Sequence, residues 1–314
     1  MTTTLPLPAR PARSRTRVLV LVVALAIVVI ACESTGTPTP TTTPTAGSVD
    51  PTHLPLGDGK YASSAKRGFI YTCQATFGGG GGAGSRGPWF NADGTTWDST
   101  KKLEVSGSVK WTPTFTTAIV GGQRTFTGND LPAHGTGKYP IPASDPVYAY
   151  DRNPGSISAQ VLSVKVPASP TVAATPTCIR GEVGVLLTGV ALFDAFDAGG
   201  RDAVAWEAQD SCQGHPQNTG VYHYHRVTSC GAAAKAGKAV LVGFAYDGFP
   251  IYIERDAKGQ LPTNADLDAC HGHTSAVPLD GKTVTTYHYS ATLEFPYTVG
   301  CFKGVPTQNQ FSGH

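Results

Sequence analysis

The chain has 314 residues, with 24 Lys plus Arg against 22 Asp plus Glu and only 15% charged side chains. The four basic residues before position 32 (Arg10, Arg13, Arg15, Arg17) read as part of an export signal, and without them 20 basic and 22 acidic residues remain, a net charge of about −2. That balance argues against nucleic-acid binding, and 40% hydrophobic content with 12 Tyr, 12 Phe and 4 Trp excludes wholesale disorder.

The first element is the uncharged apolar run Val18–Ala31. Its fourteen residues are too few for a membrane-spanning helix, which needs roughly 18–20, but suit a signal-peptide core. The run ends Val29-Ile30-Ala31-Cys32, which resembles the lipobox of bacterial lipoproteins. The resemblance implies that residues 1–31 are a lipoprotein signal peptide and that Cys32 carries a diacylglyceryl group anchoring the chain to the membrane, outside the cytoplasm. Residues 32–55, rich in Thr and Pro, cannot bury a core and read as a disordered, lipid-anchored linker.

Residues 56–314 form the globular body. Gly (37) and Pro (24) are frequent, which favours turns and short strands over long helices. Strands are expected at Val105–Trp111, Val161–Val166, Val183–Leu187, Val190–Phe193, Val221–His225, Leu241–Tyr246 and Ile251–Ile253, with a short helix candidate at Gly231–Leu241. The expected fold class is mainly β, a single compact sandwich-like domain.

Two stretches align without gaps at an offset of 59, Gly184–Gly200 with Gly243–Gly259. Each has an apolar run, a turn pair (Thr188-Gly189 or Asp247-Gly248) and a second apolar run, which is a hairpin pattern. Pro250 implies that the second hairpin's return strand is an edge or irregular. At an offset of 58, Asp210-Ser-Cys212-Gln-Gly214-His215 matches Asp268-Ala-Cys270-His-Gly272-His273. Each copy then reaches a Tyr-His-Tyr (Tyr222–Tyr224, Tyr287–Tyr289) and closes on a cysteine, Cys230 or Cys301. The body therefore contains an internally duplicated unit, residues 183–230 and 242–304.

Apart from Cys32, six cysteines remain, Cys73, Cys178, Cys212, Cys230, Cys270 and Cys301, and three disulfides are expected in an oxidising compartment. The pairing that respects the repeat is Cys212–Cys230, Cys270–Cys301 and Cys73–Cys178; a swap such as Cys212–Cys301 respects it too.

Gly220-Val-Tyr222-His223-Tyr224-His225, preceded by Gly214-His215-Pro216, resembles the signature of the YHYH domain family. Leu267–His273, Tyr287–Tyr289 and Phe295-Pro296-Tyr297 resemble the second half of that domain, and Gly128–His134 resembles its opening segment. The likeness spans about residues 105–304. It implies an exported domain and supplies no activity. One departure is Ser290 at the fourth position of the second tetrad.

On a strand, His223 and His225 share one face and Tyr222 and Tyr224 the other. With His215 folded back over the strand, three imidazoles converge; His273 and His288 repeat the pattern, and His271-x-His273 repeats the H-x-H spacing. Asp210 and Asp268 are candidates to complete the shell or to orient an imidazole, and equally to act as turn caps. The metal candidates are therefore His215, His223, His225, His273, His288, Asp210 and Asp268. The only methionine is Met1, so thioether ligation is not available and imidazole-rich sites suit Zn²⁺ or Cu²⁺. The repeat leaves open whether there is one shared site or two. Glu254, Asp256, Asp266 and Asp268 read as a solvated acidic face.

Three functions fit these residues: metal binding or sensing, metal-assisted hydrolysis with Asp210 or Asp268 as base, and a non-enzymatic surface module contacting protein or glycan partners. The bland alternative to any metal site is a strand whose tyrosines pack while its histidines bond turn backbone.

Overall fold

A computed structural model describes residues 49–74, 76–79, 83–231 and 238–307. The signal peptide, Cys32, the linker through residue 48 and His314 lie outside the described residues, as do 232–237 of the short helix candidate, whose end is strand from Ala239. No described helix is long and apolar enough to cross a membrane.

The fold is mainly β. It starts with β1 (Leu54–Pro55), β2 (Tyr61–Ala62), β3 (Ile70–Tyr71) and β4 (Thr96–Trp97). β1 pairs with β4, and Leu54 and Trp97 are both buried, so the last linker residues already belong to the body. Next come β5 (Phe115–Val120), β6 (Gln123–Gly128) and β7 (Leu162–Pro167), a three-stranded antiparallel sheet. The β5–β6 hairpin lies outside the expected strands, although Gly121 and Gly122, both at positive φ, supply a turn that suits such a hairpin. Conversely, Val105–Trp111 is not a strand. It makes isolated bridges, Val105 to Asp210 and Val109 to Thr136. Gly107 interrupts it, at a φ of +134° and so close to Lys138 that a Cβ would lie 2.8 Å from that backbone nitrogen.

The duplicated unit builds the main sheet from β8 (Glu182–Leu186), β9 (Ala191–Phe193), β10 (Gly214–Pro216), β11 (Tyr222–Tyr224), β12 (Ala239–Ala245), β13 (Pro250–Glu254), β14 (Gly272–Leu279) and β15 (Lys282–Ser290). Their order, β10-β11-β9-β8-β12-β13-β15-β14, reads the same outward from the centre in both directions. Each half is an antiparallel hairpin whose second strand pairs in parallel with the Tyr-His-Tyr strand, which carries the Gly-His strand outside it. The halves join antiparallel along β8 and β12, with Val185 opposite Phe244. These two positions correspond in the repeat, so a pseudo-twofold axis passes between them. The approach is close: a Cβ on Gly184 or Gly243 would lie 2.5 Å from the carbonyl oxygen of Phe244 or Val185 respectively.

β13 is not an edge strand, because β15 covers its outer side. Pro250 is tolerated as the strand's first residue, where no ladder N–H is required. Against the middle of the main sheet, Phe126 of β6 packs on Phe244 of β12 at 5.6 Å between ring centroids, and the Arg124 guanidinium lies 4.2 Å from the Phe244 ring. This contact between the two sheets makes the body sandwich-like.

The disulfides are Cys73–Cys178, Cys212–Cys230 and Cys270–Cys301, the local pairing within each copy. Three disulfides are consistent with an extracytoplasmic protein.

Candidate metal centre

The repeated motif works alike in both copies. Asp210 accepts the amides of Cys212 at 2.9 Å and Gly214 at 3.4 Å, while Gln213 at φ +70° turns the chain. The Tyr222 hydroxyl donates to the same carboxylate at 2.9–3.0 Å, crossing above Gly214, where a Cβ would lie 2.3 Å from it. Only glycine leaves that passage open. Once the tyrosine has crossed, His215 stands directly opposite His223. In the second copy, Asp268 accepts from Cys270, Gly272 and Tyr287 at 2.9–3.2 Å, and His273 stands opposite His288.

Asp210 and Asp268 thus lie on the tyrosine face. Neither joins the histidine groupings, which corrects their place among the metal candidates. Their oxygens are occupied by turn amides and tyrosine hydroxyls, and Lys303 adds a 2.8 Å ion pair to Asp268. His271 is not part of the second cluster either. It precedes β14 with φ at +73°, which breaks the strand alternation, and its Nε2 meets the Thr292 hydroxyl at 3.1 Å. Burial holds its ring down at about 3.

The first cluster is His215, His223 and His225, all buried. Nε2 of His223 and Nε2 of His225 are 3.1 Å apart. Their Nδ1 atoms meet backbone carbonyls, His223 that of Val221 at 3.2 Å and His225 that of Asp194 at 2.5 Å. A carbonyl only accepts, so both protons are assigned to Nδ1 and, in the neutral rings, both Nε2 lone pairs face inward. Nδ1 of His215 meets the Asn153 side-chain amide at 3.4 Å, so no carbonyl fixes its tautomer, and its buried Nε2 has no hydrogen-bond partner. Burial, reinforced by the neighbouring His223 and His225, holds the His215 ring well below its ordinary range and therefore neutral. For His225, burial acts in the same direction, but Glu207 and Asp194 outweigh it and raise the ring.

Glu207 is the carboxylate that sequence reasoning missed. Its Oε2, buried and without an aligned partner, lies 3.3 Å from His225 Nε2 and 3.5 Å from His215 Nε2. It follows the one-turn helix α1 (Ala203–Trp206), which Asp202 caps. Lys102 fixes this segment, its Nζ donating to the carbonyls of Val204 and Glu207 and to the Gln209 side chain. No motif marks Glu207 in the sequence, because the repeat begins its second block at Asp210.

These groups line a cavity of about 720 Å³, within the range of small-molecule sites. Phe77, Phe193 and Phe196 form its apolar wall, Phe193 lying 4.1 Å from the His223 ring, and Arg180 and Asn218 also line it.

The second cluster is Glu254, His273 and His288. Glu254 Oε2 lies 2.8 Å from His273 Nε2 and 3.1 Å from His288 Nε2, and Ser290 Oγ donates to it. Burial pushes Glu254 up, but contacts with His273, His288 and Ser290 outweigh that and hold the carboxyl well below its usual range. Glu254 is therefore part of a cluster rather than of a solvated face. It stands where the first copy has Ala195, and Ser290 where the first copy has His225. Five strand spacings separate β11 from β15, about 24 Å at about 4.8 Å each, so the clusters are two distinct sites. A third grouping, His134 with Cys212 and Cys230, is closed by the disulfide.

No curated protein and no solved structure matches the chain. The model of the family described as YHYH protein matches residues 163–263, which takes in the whole first copy and the second hairpin but stops before Asp268. The resemblance carried by Tyr222-His223-Tyr224-His225 is thus upheld, and the chain carries a YHYH domain.

Proposed function

We propose that the first cluster binds a divalent transition metal, zinc or copper, through Nε2 of His215, His223 and His225, with one coordination position open to the cavity. The observation that carries this reading is the pair of facing Nε2 atoms 3.1 Å apart, with both Nδ1 atoms tied to carbonyls. Two inward lone pairs at that distance repel unless a proton or a metal ion lies between them. Donors about 2.0–2.1 Å from a tetrahedral ion lie about 3.3–3.4 Å apart. The 3.1 Å between Nε2 of His223 and Nε2 of His225 is close to that spacing, and a ring nitrogen of His215 lies within 4.8 Å of both rings' nitrogens. The carbonyls of Val221 and Asp194 hold the imidazoles from behind, as outer-shell acceptors do.

One observation favours a hydrolytic use of the same centre. Glu207 offers a buried carboxylate oxygen beside two of the ligands, at the wall of a cavity large enough for substrate. A metal held by the three histidines would supply an activated water there, with Glu207 placed to take up a proton and the cavity to hold a substrate. At the chain's other end, Cys32 lipidation would hold the domain at the membrane's outer face.

Metal content of the full chain, purified without a tag and folded oxidatively, tests the reading. Zinc or copper near one equivalent should be lost in the His223→Ala/His225→Ala double variant. Glu207→Gln should keep the metal while losing any hydrolysis that the loaded protein shows. Unchanged metal in the double variant, or no uptake by the wild type, would remove the assignment and leave the interaction module as the better reading.

A further inference from the structure

We propose that Glu254, His273 and His288 form a second metal site of a different class, a two-imidazole, one-carboxylate set that takes a harder divalent cation such as manganese or ferrous iron. The inference does not depend on the first cluster's reading.

The first observation is geometric. Two donors about 2.1–2.2 Å from one ion and at right angles to each other lie about 3.0 Å apart, and Glu254 Oε2 is 2.8 Å from His273 Nε2 and 3.1 Å from His288 Nε2. The two edges that meet at Glu254 thus suit adjacent positions of an octahedron, and all three donors lie within 4.8 Å of one another.

The second observation concerns His288. Its side chain is fully buried, and its Nδ1 meets the Thr286 carbonyl at 3.1 Å, which assigns the proton to that nitrogen. Nε2 then carries a lone pair in the neutral ring. It comes within 3.1 Å of the Glu254 carboxylate without hydrogen-bond alignment and has no other partner. A nitrogen and an ionised oxygen this close are compensated by a proton or a metal ion between them, and the poor hydrogen-bond alignment favours the metal ion. Ser290 Oγ donates to the carboxylate oxygen and orients it.

The difference between the copies sets the metal class. Ser290 replaces an imidazole and Glu254 replaces Ala195, so the second site exchanges one nitrogen donor for an anionic oxygen. Oxygen donors shift preference toward harder ions, and a two-histidine, one-carboxylate face leaves positions free for water or ligand. The site is reachable: the His273 side chain is 34% exposed, while the two other donors lie deeper.

The experiment uses full-length, metal-stripped protein titrated with manganese(II), with free manganese followed by its electron paramagnetic resonance signal. One manganese per chain is expected in the wild type and in His223→Ala/His225→Ala. Affinity should fall at least tenfold in Glu254→Gln and in His273→Ala, the latter changing the most exposed donor and so keeping the test independent of folding. No stoichiometric manganese in the wild type overturns the proposal. So does binding that survives both second-site variants; if it is lost only in His223→Ala/His225→Ala, the first cluster holds the ion and this inference alone fails.

Discussion

At the residue scale, the repeated G-H dipeptide is explained by what the glycine omits. Gly214 does not need glycine's backbone freedom; it needs to be small, because the Tyr222 ring passes within 2.3 Å of where its Cβ would be. Gly214→Ala should therefore displace the tyrosine from Asp210 and cost about 1–3 kcal/mol, the usual range for overpacking. Thermal denaturation would show it, and an unchanged midpoint would mean that the tyrosine's crossing does not constrain the motif. The histidine pairing was legible in the sequence because alternation on a strand is fixed by covalent geometry. Glu207 and the role of Glu254 were not. Neither carboxylate occupies a repeated motif position, and each reaches its cluster only when its own segment has been placed.

At the element scale, α1 is a single turn, too short to be stable by itself, and buried groups from remote segments hold it. Asp202 accepts the Tyr297 hydroxyl at 2.7–2.8 Å and the Gly57 amide at 3.0 Å, so the Phe295-Pro296-Tyr297 motif fixes the helix that leads into Glu207. Burial raises the Asp202 carboxyl to about 6, against the opposing effect of these hydrogen bonds. Between about pH 4 and pH 6 the folded protein keeps a proton that the unfolded chain has released. On this residue's account, stability falls as pH rises through that window and is lower by roughly 3 kcal/mol once the carboxylate is ionised. Urea unfolding from pH 4 to 7 should show a flatter pH dependence in Asp202→Asn than in the wild type; identical slopes would refute the account. The β5–β6 hairpin shows the opposite difficulty in reading. Its turn glycines were visible, but its threonine-rich, mostly exposed strand lacks the apolar alternation that marks a half-buried one.

At the scale of the whole molecule, duplication yields one continuous sheet rather than two stacked modules. Each half lacks a partner for its inner hairpin strand, and the antiparallel β8–β12 junction supplies it. The same symmetry carries the histidine clusters outward to opposite ends of the sheet, where they have diverged in donor type. The chain's attachment belongs to this scale as well. If Cys32 is lipidated, the full-length protein should partition with the membrane fraction and Cys32→Ser should shift it to the soluble one; retention of the serine variant in the membrane would rule out that anchor.

The sequence by itself determined the mainly β class, the duplicated unit, two disulfide arrangements that respect the repeat, and the segregation of histidines from tyrosines on their strands. All of these follow from short-range periodicity, composition and self-similarity. Only the tertiary structure decided that the clusters are separate, that Asp210 and Asp268 serve the tyrosine face, and that Glu207 and Glu254 stand beside the imidazoles. Those outcomes depend on which distant segments meet across the sheet and its cavity, and no local pattern encodes such a meeting.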